Sequence, residues 1–147
     1  MIASNGNARF IKTSVGNGLK KRINVVGAVI VRNDEILCAQ RGLTGSLGGM
    51  WEFPGGKIEA GETPRQALER EIQEELLCTV TVADQVTSTT HEYDFGIVTL
   101  TTFYCELLEG EPQLTEHEAT KWLKRGELDT LAWAPADIPA VEIIKAA

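Results

Sequence analysis

The apolar positions of this chain change their period several times along its length. INVVGAVIVR (23–32) is β-branched and nearly continuous, Asn33-Asp34 marks a turn, and EILCAQR (35–41) supplies a partner strand. GLTGSLGGM (42–50) is glycine-rich and reads as a loop, and WEF (51–53) reads as a short strand entering a turn at Pro54-Gly55-Gly56. Thr63-Pro64-Arg65-Gln66 has the form of a capping box with proline at the first helical position, so a helix is expected from Pro64 to about Leu77. Residues 79–93 and 95–108 alternate with period two and are rich in Thr and Val, the pattern of an antiparallel hairpin. A short helix is expected over 123–128 and a final one from near Pro135. The order favours an α/β fold with helices on both sides of one mixed sheet.

The expected helix carries two patterns. Leu68, Ile72 and Leu76 form an apolar stripe that can dock on the sheet. Glu71, Glu74 and Glu75 stand at i, i+3 and i+4 and share one face beside it. Such a run is commonly a solvated surface, because like charges cost only about 0.2–0.5 kcal/mol per pair on an exposed helix. Here it follows a Gly-Gly turn, the basic Lys57 and a marked helix start, which can gather carboxylates beside an open backbone carbonyl. A hard cation such as Mg²⁺ takes oxygen ligands, a few from protein and the rest from water and phosphate.

Composition narrows the partners. At 147 residues, 43% apolar and 24% charged, the chain has the size of one globular domain, and no apolar run approaches a membrane span. Cys38, Cys78 and Cys105 are odd in number and scattered, as expected of reduced thiols in a cytoplasmic protein, with no paired zinc spacing. Residues 1–22 carry +5, leaving 9 basic against 21 acidic residues, or −12, over the remainder. So acidic a body repels nucleic-acid polymers, and an anionic small substrate needs metal ions to screen it. The basic segment 1–22 is expected to be a flexible N-terminal extension before a domain at 23–147; its Gly, Asn and Ser content suits a leader, and an organelle address also fits.

Gly56, five residues, Glu62, seven residues and then Arg70-Glu71-Ile72-Gln73-Glu74-Glu75 resembles the signature of the Nudix hydrolases. The 23–32 strand, Arg41, WEFPGGK, the late LTEHEATKW and the closing WAPADIP are similar to its MutT-type branch, so that residues 23–145 are covered. The resemblance implies an α/β/α sandwich around a mixed sheet, with Mg²⁺ as cofactor and Mn²⁺ able to substitute. It implies water attack on the β-phosphorus of a nucleoside triphosphate, giving a monophosphate and pyrophosphate, in nucleotide-pool sanitation. By the same resemblance Glu71, Glu74, Glu75 and Glu116 match metal ligands, with the carbonyl of Gly56. Glu71 or Glu116 matches the general base, with Glu118 as a rival, and Lys57 lies near the phosphates.

Arg70 and Glu62 suit a structural ion pair, and Arg41, Phe53 and Asp137 match the nucleoside pocket, although Phe53 equally suits the core and Asp137 a helix cap. An ionised Asp137 only accepts hydrogen bonds, which suits the exocyclic amine of cytosine; a protonated one could donate to the carbonyl of 8-oxoguanine. Dinucleoside-polyphosphate or ADP-ribose hydrolysis and a non-catalytic sensing module are the other readings. Tyr93 favours the first weakly, the lack of proline over 79–111 argues against the second, and the intact glutamates argue against the third. Leu77 departs from the family pattern, which has glycine there for a left-handed helix cap; it implies another helix exit, with the side chain packed under the next strand.

Overall fold

The computed structural model describes residues 9–12 and 19–147. Its strands are β1 (Arg9–Lys12), β2 (Leu19–Arg32), β3 (Glu35–Gln40), β4 (Trp51–Glu52), β5 (Gly55–Lys57), β6 (Thr79–Tyr93), β7 (Gly96–Glu109) and β8 (Ala119–Lys124). Two α-helices, α1 (Pro64–Leu76) and α2 (Ile138–Ala146), complete it, with 3₁₀ turns at Arg125–Thr130 and Pro135–Asp137. All eight strands belong to one sheet. The long β2 organises it: β7 runs parallel along one edge, while β1, β5 and β3 pair antiparallel in succession along the other. This is the mixed α/β sandwich expected, and no described helix is long and apolar enough to cross a membrane.

Alternation along β2 divides the core in two. Val26, Ala28 and Ile30 face α1 and meet Leu68, Ile72 and Leu76, all fully buried. Val29 faces the other way, into a cluster with Trp51, Phe53, Trp133, Val141 and Ile144 under α2. Burying each of the three α1 side chains stabilises the docked helix by about 2 kcal/mol. The capping box forms as expected: Gln66 N–H donates to Thr63 Oγ1 at 3.1 Å, and Thr63 N–H donates to Gln66 Oε1 at 2.9 Å. Asn33 and Asp34, at φ 53° and 65°, make the tight turn between β2 and β3. The three cysteines are free and buried.

Four expectations need correction. The strand expected from Ile23 begins at Leu19 and pairs with Arg9–Lys12, so residues 19–22 of the expected flexible extension lie in the sheet. Residues 1–8 and 13–18 of that extension lie outside the described residues. Gly55-Gly56-Lys57 is a strand rather than a turn, because its two glycines have no side chains to hold it off β2; a Cβ on Gly55 would overlap the carbonyl of Val26. The expected helix over 123–128 is the end of β8 followed by a 3₁₀ turn, because residues 119–124 pair with the edge of β3. Leu77 keeps the left-handed cap, at φ 55° and ψ 37°, with its N–H donating to Gln73 O, and its side chain is 53% exposed rather than packed.

Candidate active site

The Gly55-Gly56 strand lies between two groups of residues. On one side Gly56 abuts the Glu71 carboxylate so closely that a Cβ there would overlap it. The capped helix places Glu71 and Glu75 one turn apart on its inner face, at 8% and 3% exposure, with the Glu74 side chain outside at 60%. Arg70 ties the group together. Its Nε and Nη2 donate to Glu62 at 2.6 and 2.9 Å, Nη2 also donates to the carbonyl of Lys57 at 3.0 Å, and Nη1 reaches Glu71 at 2.9 Å and Glu74 at 3.2 Å. Arg70 and Glu62 thus anchor the loop between β5 and α1, the structural role expected of them.

The electrostatics of this side are those of a site short of positive charge. Burial raises the pKa of Glu71, Arg70 opposes the rise, and the charges of Glu74 and Glu116 add to it. Glu75 is pushed up to about 9, first by burial and then by Glu71, Glu52 and Glu116. Its Oε1 is buried with no hydrogen-bond partner among the described residues. Lys57 is 2% exposed with its Nζ unpartnered among the described residues, and burial, then the charge of Lys21, lower its pKa. Among the described residues no three acidic, cysteine or histidine side chains stand together at metal-binding spacing, and Arg70 neutralises Glu71 and Glu74 instead. Even so, the orphaned Glu75 oxygen, the close approach at Gly56 and the mutual repulsion of buried carboxylates fit a hard divalent cation. Glu71, Glu74, Glu75 and the Gly56 carbonyl are the groups that would hold it, with Glu116 at the edge.

The late loop arrives through backbone ties. Gln113 N–H donates to Leu76 O at 2.8 Å, the Thr115 hydroxyl donates to Glu75 O, and Glu118 N–H donates to Gln40 O at 2.8 Å. Glu116 lines a small polar pocket with Arg41, Gly42, Thr44, Glu52 and His117. Its charge acts on Glu71 and Glu75.

On the other side of the glycines is an open cleft of about 530 Å³, counting the space open to solvent, lined in part by Arg41, Phe53, Tyr93, Phe95 and Asp137 together with Gly55 and Gly56. Asp137 is 5% exposed and accepts from Phe53 N–H through Oδ1 at 3.1 Å. It occupies the N-cap position of α2 but makes no side-chain cap bond, so it is not simply a helix cap. Burial, then the charge of Glu52, raises its pKa well above the ordinary carboxylate value. Phe53 packs on Trp133 at 4.7 Å and is both core and cleft wall. Arg41 donates to Glu52 at 3.1 Å and to Ser46 O at 3.3 Å.

Three sets of contacts escaped the sequence reading. Glu52 lies half-buried between Arg41 and His117; burial is the largest single effect and raises its pKa, but the two partners together outweigh it and pull the pKa down. His117 Nε2 lies 2.9 Å from Glu52 Oε2. Tyr93 and Phe95 stack at 5.0 Å with a 7° tilt, and Tyr93 accepts from Ala136 N–H, holding the aromatic pair beside Asp137. The aromatic spacing around the hairpin turn was the one available signal, whereas Glu52 and His117 are 65 residues apart.

A mixed-sheet sandwich carrying a glutamate helix is the architecture that the Nudix resemblance implies. The NUDIX domain model matches residues 25–142, and the chain belongs to the Nudix family. It is a Nudix hydrolase of the MutT type, a class that works with a divalent metal. It is 41% identical over 126 residues to the CTP pyrophosphohydrolase of Escherichia coli (strain K12), covering 86% of this chain and 93% of that protein. It is 34% identical over 127 residues to the 8-oxo-dGTP diphosphatase of the same organism, covering 86% and 98%. The solution structure of the DNA mismatch repair protein MutT, a Nudix hydrolase from methicillin-resistant Staphylococcus aureus 252, is 57% identical with a TM-score of 0.71, covering 87% of this chain and 99% of that one.

Proposed function

We propose that this protein is a Mg²⁺-dependent, cytoplasmic nucleoside triphosphate pyrophosphohydrolase that favours cytosine nucleotides, among them CTP, dCTP and 5-modified dCTP. The observation that carries this reading is the position of Gly55-Gly56: they line the aromatic cleft with Asp137, while Gly56 also touches the Glu71 carboxylate. A nucleotide whose base lies against Asp137 and the Tyr93-Phe95 pair would run its phosphates past the glycines to the glutamates. Bound Mg²⁺ would screen the phosphate charge and acidify water. Glu71 or Glu116 takes the proton of the attacking water. A new oxygen–phosphorus bond forms at the β-phosphorus, the bond to the α,β-bridging oxygen breaks, and that oxygen leaves on the monophosphate. Lys57, buried without a partner, supplies fixed positive charge near the glycine strand. Likeness to the CTP pyrophosphohydrolase supports the cytosine preference.

A second reading, 8-oxo-dGTP as substrate, is favoured by the raised pKa of Asp137, because a neutral acid can donate to a carbonyl. A substrate panel tests both. Purified protein with Mg²⁺ is offered CTP, dCTP, 5-methyl-dCTP, dGTP, 8-oxo-dGTP, ADP-ribose and diadenosine polyphosphates, and the products are identified. Highest kcat/KM on a cytosine nucleotide, with monophosphate and pyrophosphate as products, supports the first reading. Activity confined to ADP-ribose or the dinucleotides would refute both.

A further inference from the structure

His117 is buried, with 4% of its side chain exposed, in a segment whose neighbours Glu116 and Glu118 are both exposed. Its Nε2 faces Glu52 Oε2 at 2.9 Å, and the other Glu52 oxygen accepts from Arg41 Nη1 at 3.1 Å. Both oxygens of one half-buried carboxylate are therefore committed, one to the late loop and one to the nucleoside cleft. The residue before Glu116 is also tied: the Thr115 hydroxyl donates to the carbonyl of Glu75 on the metal-facing helix. Glu116 is thus held between an anchor on α1 and an anchor on β4, in the polar pocket that His117 and Glu52 line.

We propose that His117 is the positioning residue that sets Glu116 against the glutamate cluster, by pinning the late loop to the Glu52–Arg41 pair. The inference rests on the reading of that cluster as a divalent-metal site. A histidine needed only for packing would leave the metal indifferent to which atom donates to Glu52. One that positions Glu116 makes metal affinity depend on a donor at the Nε2 position and only while Glu116 is present. Glutamine can place its amide nitrogen where Nε2 lies; asparagine is too short to reach.

Metal-free wild type, His117→Ala, His117→Gln, His117→Asn, Glu116→Gln and the His117→Ala/Glu116→Gln double variant are titrated with Mn²⁺ by calorimetry, with urea unfolding run on each. His117→Ala and His117→Asn should weaken Mn²⁺ binding by about 10- to 100-fold, as loss of a partner that orients a metal ligand generally does. His117→Gln should restore most of it, and His117→Ala should add nothing to the loss in Glu116→Gln. If His117→Ala unfolds, the comparison of the Gln and Asn variants carries the test. Wild-type affinity in both the Ala and Asn variants, equal losses in the Gln and Asn variants, or multiplied losses in the double variant would overturn the proposal. Pyrophosphate release from CTP is followed in parallel. Wild type that binds Mn²⁺ with this pattern but hydrolyses no nucleoside triphosphate would refute the proposed function and leave the positioning role standing. Turnover with Mn²⁺ binding that ignores His117 would do the reverse.

Discussion

Glu75→Gln should make the metal-free protein more stable, by an amount that grows with pH. Glu75 is 3% exposed, has an unpartnered oxygen and is pushed up to about 9 in the fold, against an ordinary 4.5. The folded state therefore holds a proton that the unfolded state releases above about pH 4.5. Stability is full below that value and falls as pH rises toward about 9, by about 1.4 kcal/mol per pH unit. Near pH 7 the loss amounts to about 3 kcal/mol, a large share of a typical domain's stability. Glu71 is shifted in the same direction by the same cluster, so the measured slope belongs to the pair. Glutamine keeps the shape and removes the titration. Urea unfolding in EDTA from pH 5 to pH 8 should show the variant's advantage widening by about 4 kcal/mol, and Mg²⁺ should reduce it by stabilising the wild type more than the variant. An advantage that stays flat or shrinks with pH would refute the reasoning.

Three further substitutions probe separate parts of the account. Leu77→Gly should stabilise the fold by about 1 kcal/mol in urea, because it relieves a left-handed conformation that costs a side-chain residue about 1–2 kcal/mol and loses part of that gain to a freer unfolded chain; activity should not change. Gly56→Ala should cost about 1–3 kcal/mol in urea by pressing a methyl into the Glu71 carboxylate, and should abolish pyrophosphate release in a protein that still folds. Asp137→Asn should shift the kcat/KM ratio from CTP toward 8-oxo-dGTP, since the amide donates at every pH; an unchanged ratio would remove Asp137 from base recognition.

Local and evenly spaced features were readable from the sequence. The capping box and the helical spacing of Glu71, Glu74 and Glu75 are fixed by neighbours within a few residues, and the β6–β7 hairpin by an alternation carried along both strands around one turn; each lies on the element expected of it. Features defined by a distant partner were not. Gly-Gly reads as a turn until β2 offers a surface that only glycine can approach. Ala119–Lys124 has no strong strand signal and becomes one by pairing with β3. Leu77 was expected to leave the helix differently, but the cap geometry prevails over the residue's preference because the chain must turn there into β6. The site shows the same division: its acids came from spacing, while Glu52 and His117 acquire meaning only when the fold joins them. Asp137 could be read from the sequence as either a helix cap or a cleft residue, and only the structure shows its carboxylate turned to Phe53 rather than to its own helix.

The central claim, that a nucleotide spans the two glycines with its β-phosphorus at the glutamates, is tested most directly by hydrolysis of CTP in ¹⁸O-labelled water. Mass spectrometry of the products should find one labelled oxygen in pyrophosphate and none in CMP. Label in CMP would place attack on the α-phosphorus, and release of CDP with labelled phosphate would place it on the γ-phosphorus. Either result would contradict the arrangement proposed for this site.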